Sequence, residues 1–261
     1  MDLGIAGKRA LVLASSRGLG LAAAHALARE GASVILSGRD QARLANAVRA
    51  IAADGGKADA VTADLTQPDS ISALNAAVEQ KFGGLDILIN NVGGPPAKPI
   101  SAVSIDEWRR EFDAMVGSVL RVTGHFLPGM RARRWGRIIT IASSGVVQPI
   151  ANLGISNALR SSLVAWSKTL SSEVAADGVT VNVILPGRIH TERVDEMDAF
   201  AAKQQNKSIA EVARASQAAI PMGRYGTVEE FAAVAAFLAS NLASYVTGSL
   251  LRVDGGYIRS I

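Results

Sequence analysis

Short, continuous runs of aliphatic and β-branched residues alternate along the chain with longer Ala-rich stretches of helical periodicity. Seven such runs, at 9–13, 33–37, 59–62, 85–90, 137–142, 179–185 and 249–253, read as strands. Most lack the apolar–polar alternation of a half-exposed strand, so they predict strands covered on both faces, as in a parallel sheet between helices. The helical stretches at 19–30, 41–53 and 70–82 each stop at glycine: Gly31, the Gly55/Gly56 pair and the Gly83/Gly84 pair. Glycine suits the left-handed position after a helix. Asp40 is the expected N-cap of the second. Ser104 with Glu107 and Thr227 with Glu230 have the spacing of capping boxes, and a long helix is expected over 153–177.

Repeated strand–helix order implies right-handed crossovers and a doubly wound, Rossmann-type α/β fold: a seven-stranded parallel sheet with helices on both faces. No linker or repeat divides the chain, so residues 1–261 are expected to form a single dinucleotide-binding domain. The segment 190–216 breaks the alternation and follows a strand end, where open α/β sheets bind ligands. It is expected to form a helical lid over the substrate.

Composition narrows the function. The net charge is +4, and Arg131, Arg133, Arg134 and Arg137 supply much of it in one run. That run is expected to be a solvated helix C-terminus. With aromatics at 5%, nothing suggests a nucleic-acid surface. Cysteine is absent, which removes disulfides, thiolate metal sites and cysteine nucleophiles. Apolar runs such as 231–239 are too short to span a bilayer, and no signal-peptide pattern is seen. A soluble cytoplasmic protein without membrane partners is the expectation.

Candidate chemistry begins where the first strand meets Ala14, Ser15, Ser16, Arg17, Gly18, Leu19 and Gly20. Small residues there let the backbone approach a pyrophosphate, and a helix N-terminus offers it N–H groups. The second strand ends at Ser37, Gly38 and Arg39. An acidic residue at that spacing would accept from an NAD ribose, whereas Arg39 favours the 2′-phosphate of NADP, with Arg17 as a second cation.

Here the chain resembles the short-chain dehydrogenase/reductase family, in particular its 3-oxoacyl-carrier-protein-reductase-like members, over nearly its whole length. The family's TGxxxGxG turn matches residues 13–20, with Leu13 and Ala14 replacing the Thr and first Gly. The adenine-holding Asp-hydrophobe pair matches Asp64 and Leu65, and the NNAG motif matches Asn90, Asn91, Val92 and Gly93. The PG motif matches Pro186 and Gly187, followed by Arg188, Ile189, His190 and Thr191, a stretch that in the family lies against nicotinamide. Val246, Thr247 and Gly248, then Val253 to Tyr257, are like its C-terminal signature. The resemblance implies NADP as cofactor, a small carbonyl or alcohol substrate, strand order 3-2-1-4-5-6-7 and a homotetramer. Asn90 and Gly93 are expected among the cofactor-binding residues, with Asn90 bracing the sheet rather than doing chemistry.

The family's catalytic Asn, Ser, Tyr and Lys are the point of departure. Ser143 matches the Ser. Thirteen residues on, Ser156 stands where Tyr is expected; four further on, Arg160 stands for Lys; Met115 falls at the Asn position. A Ser hydroxyl is a far weaker acid than a phenol, and an arginine does not release its proton near neutrality. One reading is an NADP-dependent oxidoreductase with an altered acid. In it Ser143 polarises the carbonyl, a water near Ser156 or an acidic substrate group supplies the proton, and Arg160 binds ribose or a substrate carboxylate. His190 is the one nearby histidine that could titrate, although a solvent-facing loop histidine is the plainer reading. The alternative is a non-catalytic nucleotide-binding subunit or pseudoenzyme, able to pair with an active relative in a mixed oligomer. A third, cofactor-independent reading follows the halohydrin dehalogenases, which resemble this family and carry Arg for Lys; they keep the Tyr, and this chain keeps Gly18 and Gly20.

Overall fold

Residues 2–260 are described by the computed structural model. Strands β1 (Arg9–Val12), β2 (Ser33–Gly38), β3 (Lys57–Thr62), β4 (Ile87–Asn90), β5 (Gly136–Ile141), β6 (Val179–Pro186) and β7 (Leu250–Val253) form one sheet ordered β3-β2-β1-β4-β5-β6-β7. Every neighbouring pair is parallel. The order reverses beside β1, so the carboxyl ends of β1 and β4 flank the crevice where this architecture takes ligands.

Pleating explains the unbroken apolar runs. Ala10 and Val12 of β1 point into one hydrophobic cluster with α1 (Gly18–Arg29) and α9 (Val228–Ala239). Leu11 and Leu13 point to the other, against α3 (Pro68–Phe82), α5 (Ser118–Ala132) and α6 (Gly154–Val174). Ile87 and Ile89 of β4 share the first cluster and Leu88 the second. Residues of the central strands β4, β5 and β6 therefore leave water whichever way they face, at about 1.5–3 kcal/mol per large side chain, while the edge strands β3 and β7 stay partly exposed.

β4 begins at Ile87, two residues later than expected. Just before it, the Asp86 carboxylate accepts from the Arg9 backbone N–H at 3.0 Å and from Nε at 2.8 Å. The helix expected after Ser104 is α4 (Ile105–Phe112), a π turn at Asp113–Gly117, then α5. Ser104 accepts from the Glu107 N–H, but Lys98 takes the Glu107 carboxylate at 2.8 Å, so that box stays half-formed. The Thr227–Glu230 box is complete.

Arg131, Arg133 and Arg134 lie exposed at the end of α5, as expected, but Arg137 does not. Arg137 lies on β5, is 3% exposed, and donates to the carbonyls of Gly136 and Ser240. Its guanidinium also sits 4.5 Å over the Trp135 ring. Arg131 pairs with Asp177, while Arg133 donates to the Leu85 carbonyl and Arg134 to that of Ala176. The run ties the end of α5 to its neighbours. The segment 190–216 folds as α7 (Glu192–Gln205) and most of α8 (Ile209–Ala218). A Ser208–Glu211 capping box, not foreseen from sequence, starts α8. No helix among the described residues is long and apolar enough to cross a membrane.

Candidate active site

A cavity of about 690 Å³ runs along the carboxyl ends of the strands. Its walls include the β1–α1 turn, the ends of β2, β4, β5 and β6, and the first turn of α7. Ala14, Ser16, Arg17, Gly18, Leu19, Arg39, Asp64, Leu65, Gly93, Pro186, Gly187, Ile189 and Thr191 line it, as do Ser143, Ser156 and Arg160. Gly20 and Asn90 do not. Gly20 shapes the turn from behind, where a Cβ would lie 2.8 Å from the Ala14 carbonyl oxygen and from Asn91 Nδ2. Asn90 is fully buried and donates to Thr123 Oγ1 at 3.1 Å; its neighbour Asn91 lines the cavity and donates to the Ala14 carbonyl at 3.0 Å.

The turn carries its own strain. Ala14, at the motif's first glycine position, has φ +46°, and Gly18 has φ +59°. The N-cap Arg17 makes no side-chain cap, and the first turn of α1 holds no acid. Its N–H groups are thus left for an anion. Arg39 is exposed at the rim and makes no ion pair among the described residues. Hydrogen bonds from Thr66, aided by the Arg39 charge, hold the Asp64 carboxyl below its ordinary range. The residues thus fit a phosphorylated dinucleotide: a turn in which Gly20 leaves no room for a Cβ, a free helix N-terminus and an unclaimed guanidinium.

At the far end the serines are ordered by N–H donors. Ser143 Oγ accepts from the Gly145 N–H at 3.0 Å, and Ser156 Oγ from Arg160 Nε at 3.3 Å. Each keeps its O–H free to donate. Arg160 is clamped: Nη1 donates to the Ile141 carbonyl at 2.9 Å and Nη2 to the Val92 carbonyl at 3.0 Å. Burial, with the like charge of Arg193, pushes its pKa down to about 10. Met115 is buried within the π turn and lines the wall. His190 lies outside the cavity, two-thirds exposed and 3.2 Å from Asp195.

Several lining or latching residues escaped the sequence reading. Glu192, opening α7, accepts from Arg17 and, at 3.1 Å, from Arg43 Nη1. Those hydrogen bonds hold the Glu192 carboxyl below its ordinary range. Asp198, buried on α7, accepts from Arg188 at 2.7 Å and from the Tyr225 hydroxyl at 2.6 Å. Tyr257 supplies a phenol to the wall, and Arg193 donates to the Pro95 carbonyl at 3.2 Å. The lid contacts join positions far apart in sequence and had no local signal; Tyr257 lay in a motif read only as a terminal signature. No cluster of His, Asp and Glu able to hold a metal ion occurs among the described residues.

A parallel sheet in this strand order, with a glycine-rich turn leaving β1 and a cavity across the strand ends, defines a Rossmann-type α/β protein. The chain belongs to the short-chain dehydrogenase/reductase family: the family model described as Enoyl-(Acyl carrier protein) reductase matches residues 13–258. It is similar to 3-oxoacyl-[acyl-carrier-protein] reductase FabG of Vibrio cholerae, 37% identical with 97% of this chain and 98% of that one covered. The oxidoreductase YvrD of Bacillus subtilis is 35% identical over the full length of both. Among solved structures, L-sorbose reductase from Gluconobacter frateurii, complexed with NADPH and L-sorbose, is 35% identical and superposes with a TM-score of 0.94 over all of both chains.

Proposed function

We propose that this protein is an NADP(H)-dependent oxidoreductase acting on a small carbonyl or alcohol substrate with a non-standard catalytic site. The observation that carries the reading is the cofactor cradle: the Gly18 and Gly20 turn, the uncapped α1 N-terminus and Arg39 at the end of β2. The relative solved with NADPH supports the same cofactor. When bound, the nicotinamide supplies or accepts the hydride.

The chain's own residues do the rest. Pro186, Gly187, Ile189 and Thr191 form the wall for the nicotinamide; Asp64 and Leu65 hold the adenine. Ser143 donates its hydroxyl proton in a hydrogen bond to the substrate oxygen, since its own oxygen is occupied by the Gly145 N–H. Charge developing on that oxygen is steadied by the Ser143 and Ser156 hydroxyls and by the Arg160 cation behind Ser156. This is a divergent member without the family's Tyr and Lys, so the proton reaches the oxygen by way of water beside Ser156. Helices α7 and α8 act as the lid, held by Asp198 to Arg188 and Tyr225.

The protein works as a homo-oligomer, in which a second copy covers the exposed apolar side chains of Ile105 and Phe112 on α4 and of Leu242, Tyr245 and Leu250 near β7. The deciding experiment titrates NADPH and NADH into the protein and then follows NADPH oxidation across a carbonyl panel. Tight NADPH binding with turnover is expected. Tight binding with no turnover on any substrate would make it a nucleotide-binding pseudoenzyme, and failure to bind either nucleotide would remove the reading altogether.

A further inference from the structure

Arg160 is 8% exposed and lines the cavity, yet no carboxylate pairs with it among the described residues. Its partners are a hydroxyl and two carbonyls, which satisfy hydrogen bonds but leave the charge uncompensated. A buried cation without a counterion is costly. A second guanidinium enters the same cavity from α7. Arg193 Nη2 donates to the Pro95 carbonyl at 3.2 Å, and its Nη1 lies 3.3 Å from Glu196, a carboxylate also 3.5 Å from Arg17. Arg160 and Arg193 are near enough that the charge of Arg193 lowers the pKa of Arg160.

Between their anchoring carbonyls, Val92 and Pro95, stand Gly93 and Gly94. A Cβ on Gly93 would meet nothing within 4 Å, and one on Gly94 would meet only Arg193 Nη2, at 3.8 Å. Two cations thus flank an open floor without side chains. Met115, Ile150, Leu153 and Met197 line the cavity beyond it.

We propose that the substrate carries a carboxylate, held at Gly94 by Arg193 with Arg160 as the buried charge behind it, so that the protein acts on oxo acids or the matching hydroxy acids. The inference rests on the oxidoreductase reading. The methionines, Ile150 and Leu153 accept the hydrocarbon between carboxylate and carbonyl. Arg193 is the specificity residue, because it is half exposed and its donors can turn to a ligand.

The test compares 4-oxopentanoate with methyl 4-oxopentanoate, and acetoacetate with methyl acetoacetate, in the wild type, Arg193→Gln and Arg193→Lys. The acids should exceed their esters in kcat/KM by about tenfold or more in the wild type, the size of one charged contact. That ratio should fall about tenfold in Arg193→Gln and partly recover in Arg193→Lys, with circular dichroism reporting an unchanged fold. Esters turned over as well as the acids would overturn the inference and leave the oxidoreductase reading standing. Should none of these compounds oxidise NADPH, calorimetric titration of 4-oxopentanoate into the protein with saturating NADPH decides the inference. Binding weakened about tenfold by Arg193→Gln supports the anion site; absent or unaltered binding overturns it.

Discussion

At the residue scale, backbone conformation and hydroxyl orientation carry the sharpest expectations. Ala14 sits at φ +46°, where a Cβ is strained by about 1 kcal/mol or more. Ala14→Gly relieves that strain and should raise the melting temperature by a few degrees, read by scanning calorimetry. A lower value would mean that the Ala14 methyl packs more than it strains. Ser143→Ala removes the proposed donor to the substrate oxygen and should cut kcat about a hundredfold while NADPH affinity holds. Arg39→Ser should lower the NADPH-over-NADH affinity ratio about tenfold or more, measured by nicotinamide fluorescence. Ala14 and Arg39 were legible as cavity positions from the spacing of strand, turn and helix, and Ser143 from the family resemblance. The orientation of the serine hydroxyls was not, since it depends on N–H donors presented by the folded backbone.

The helices bear on access. Glu192 opens α7 and bridges Arg17 of the turn to Arg43 of α2 (Gln41–Ala53). On the proposed function, a cofactor phosphate would compete for the same guanidiniums. Glu192→Gln should therefore tighten NADPH binding about two- to fivefold, the range of an exposed ion pair, and steepen its salt dependence. Unchanged or weaker binding would show that the bridge is no competitor. The sequence signalled an interruption at 190–216 and the N-caps of several helices. It did not signal which carboxylate would meet which guanidinium: Glu107 went to Lys98 instead of its own helix end, and Glu192 crossed to another layer.

For the molecule as a whole, the sheet's amino-terminal edge is held by a buried charge. Burial alone would push the Asp86 carboxyl up, but hydrogen bonds and charge from Arg9, with Arg133 nearby, outweigh it and leave the group below its ordinary range. A carboxyl depressed in the fold adds stability above its unfolded pKa near 4, and that stability is lost as pH falls through the lower folded value. Asp86→Asn should cost about 3 kcal/mol at neutral pH and flatten the acid limb of the stability profile, followed by urea unfolding between pH 2 and 7. An equal slope in both proteins would assign the acid limb to other carboxylates.

By itself the sequence determined the central strands, the glycine stops and the glycine-rich turn that lines the cavity, because each is written in local spacing and side-chain chemistry. Tertiary structure alone decided the rest. It buried Arg160 against two carbonyls without a counterion, brought Arg193 from a helix more than thirty residues away into the same cavity, and buried Arg137 of the arginine run on β5. Those outcomes depend on which groups lose water together, and that is set only when distant segments pack.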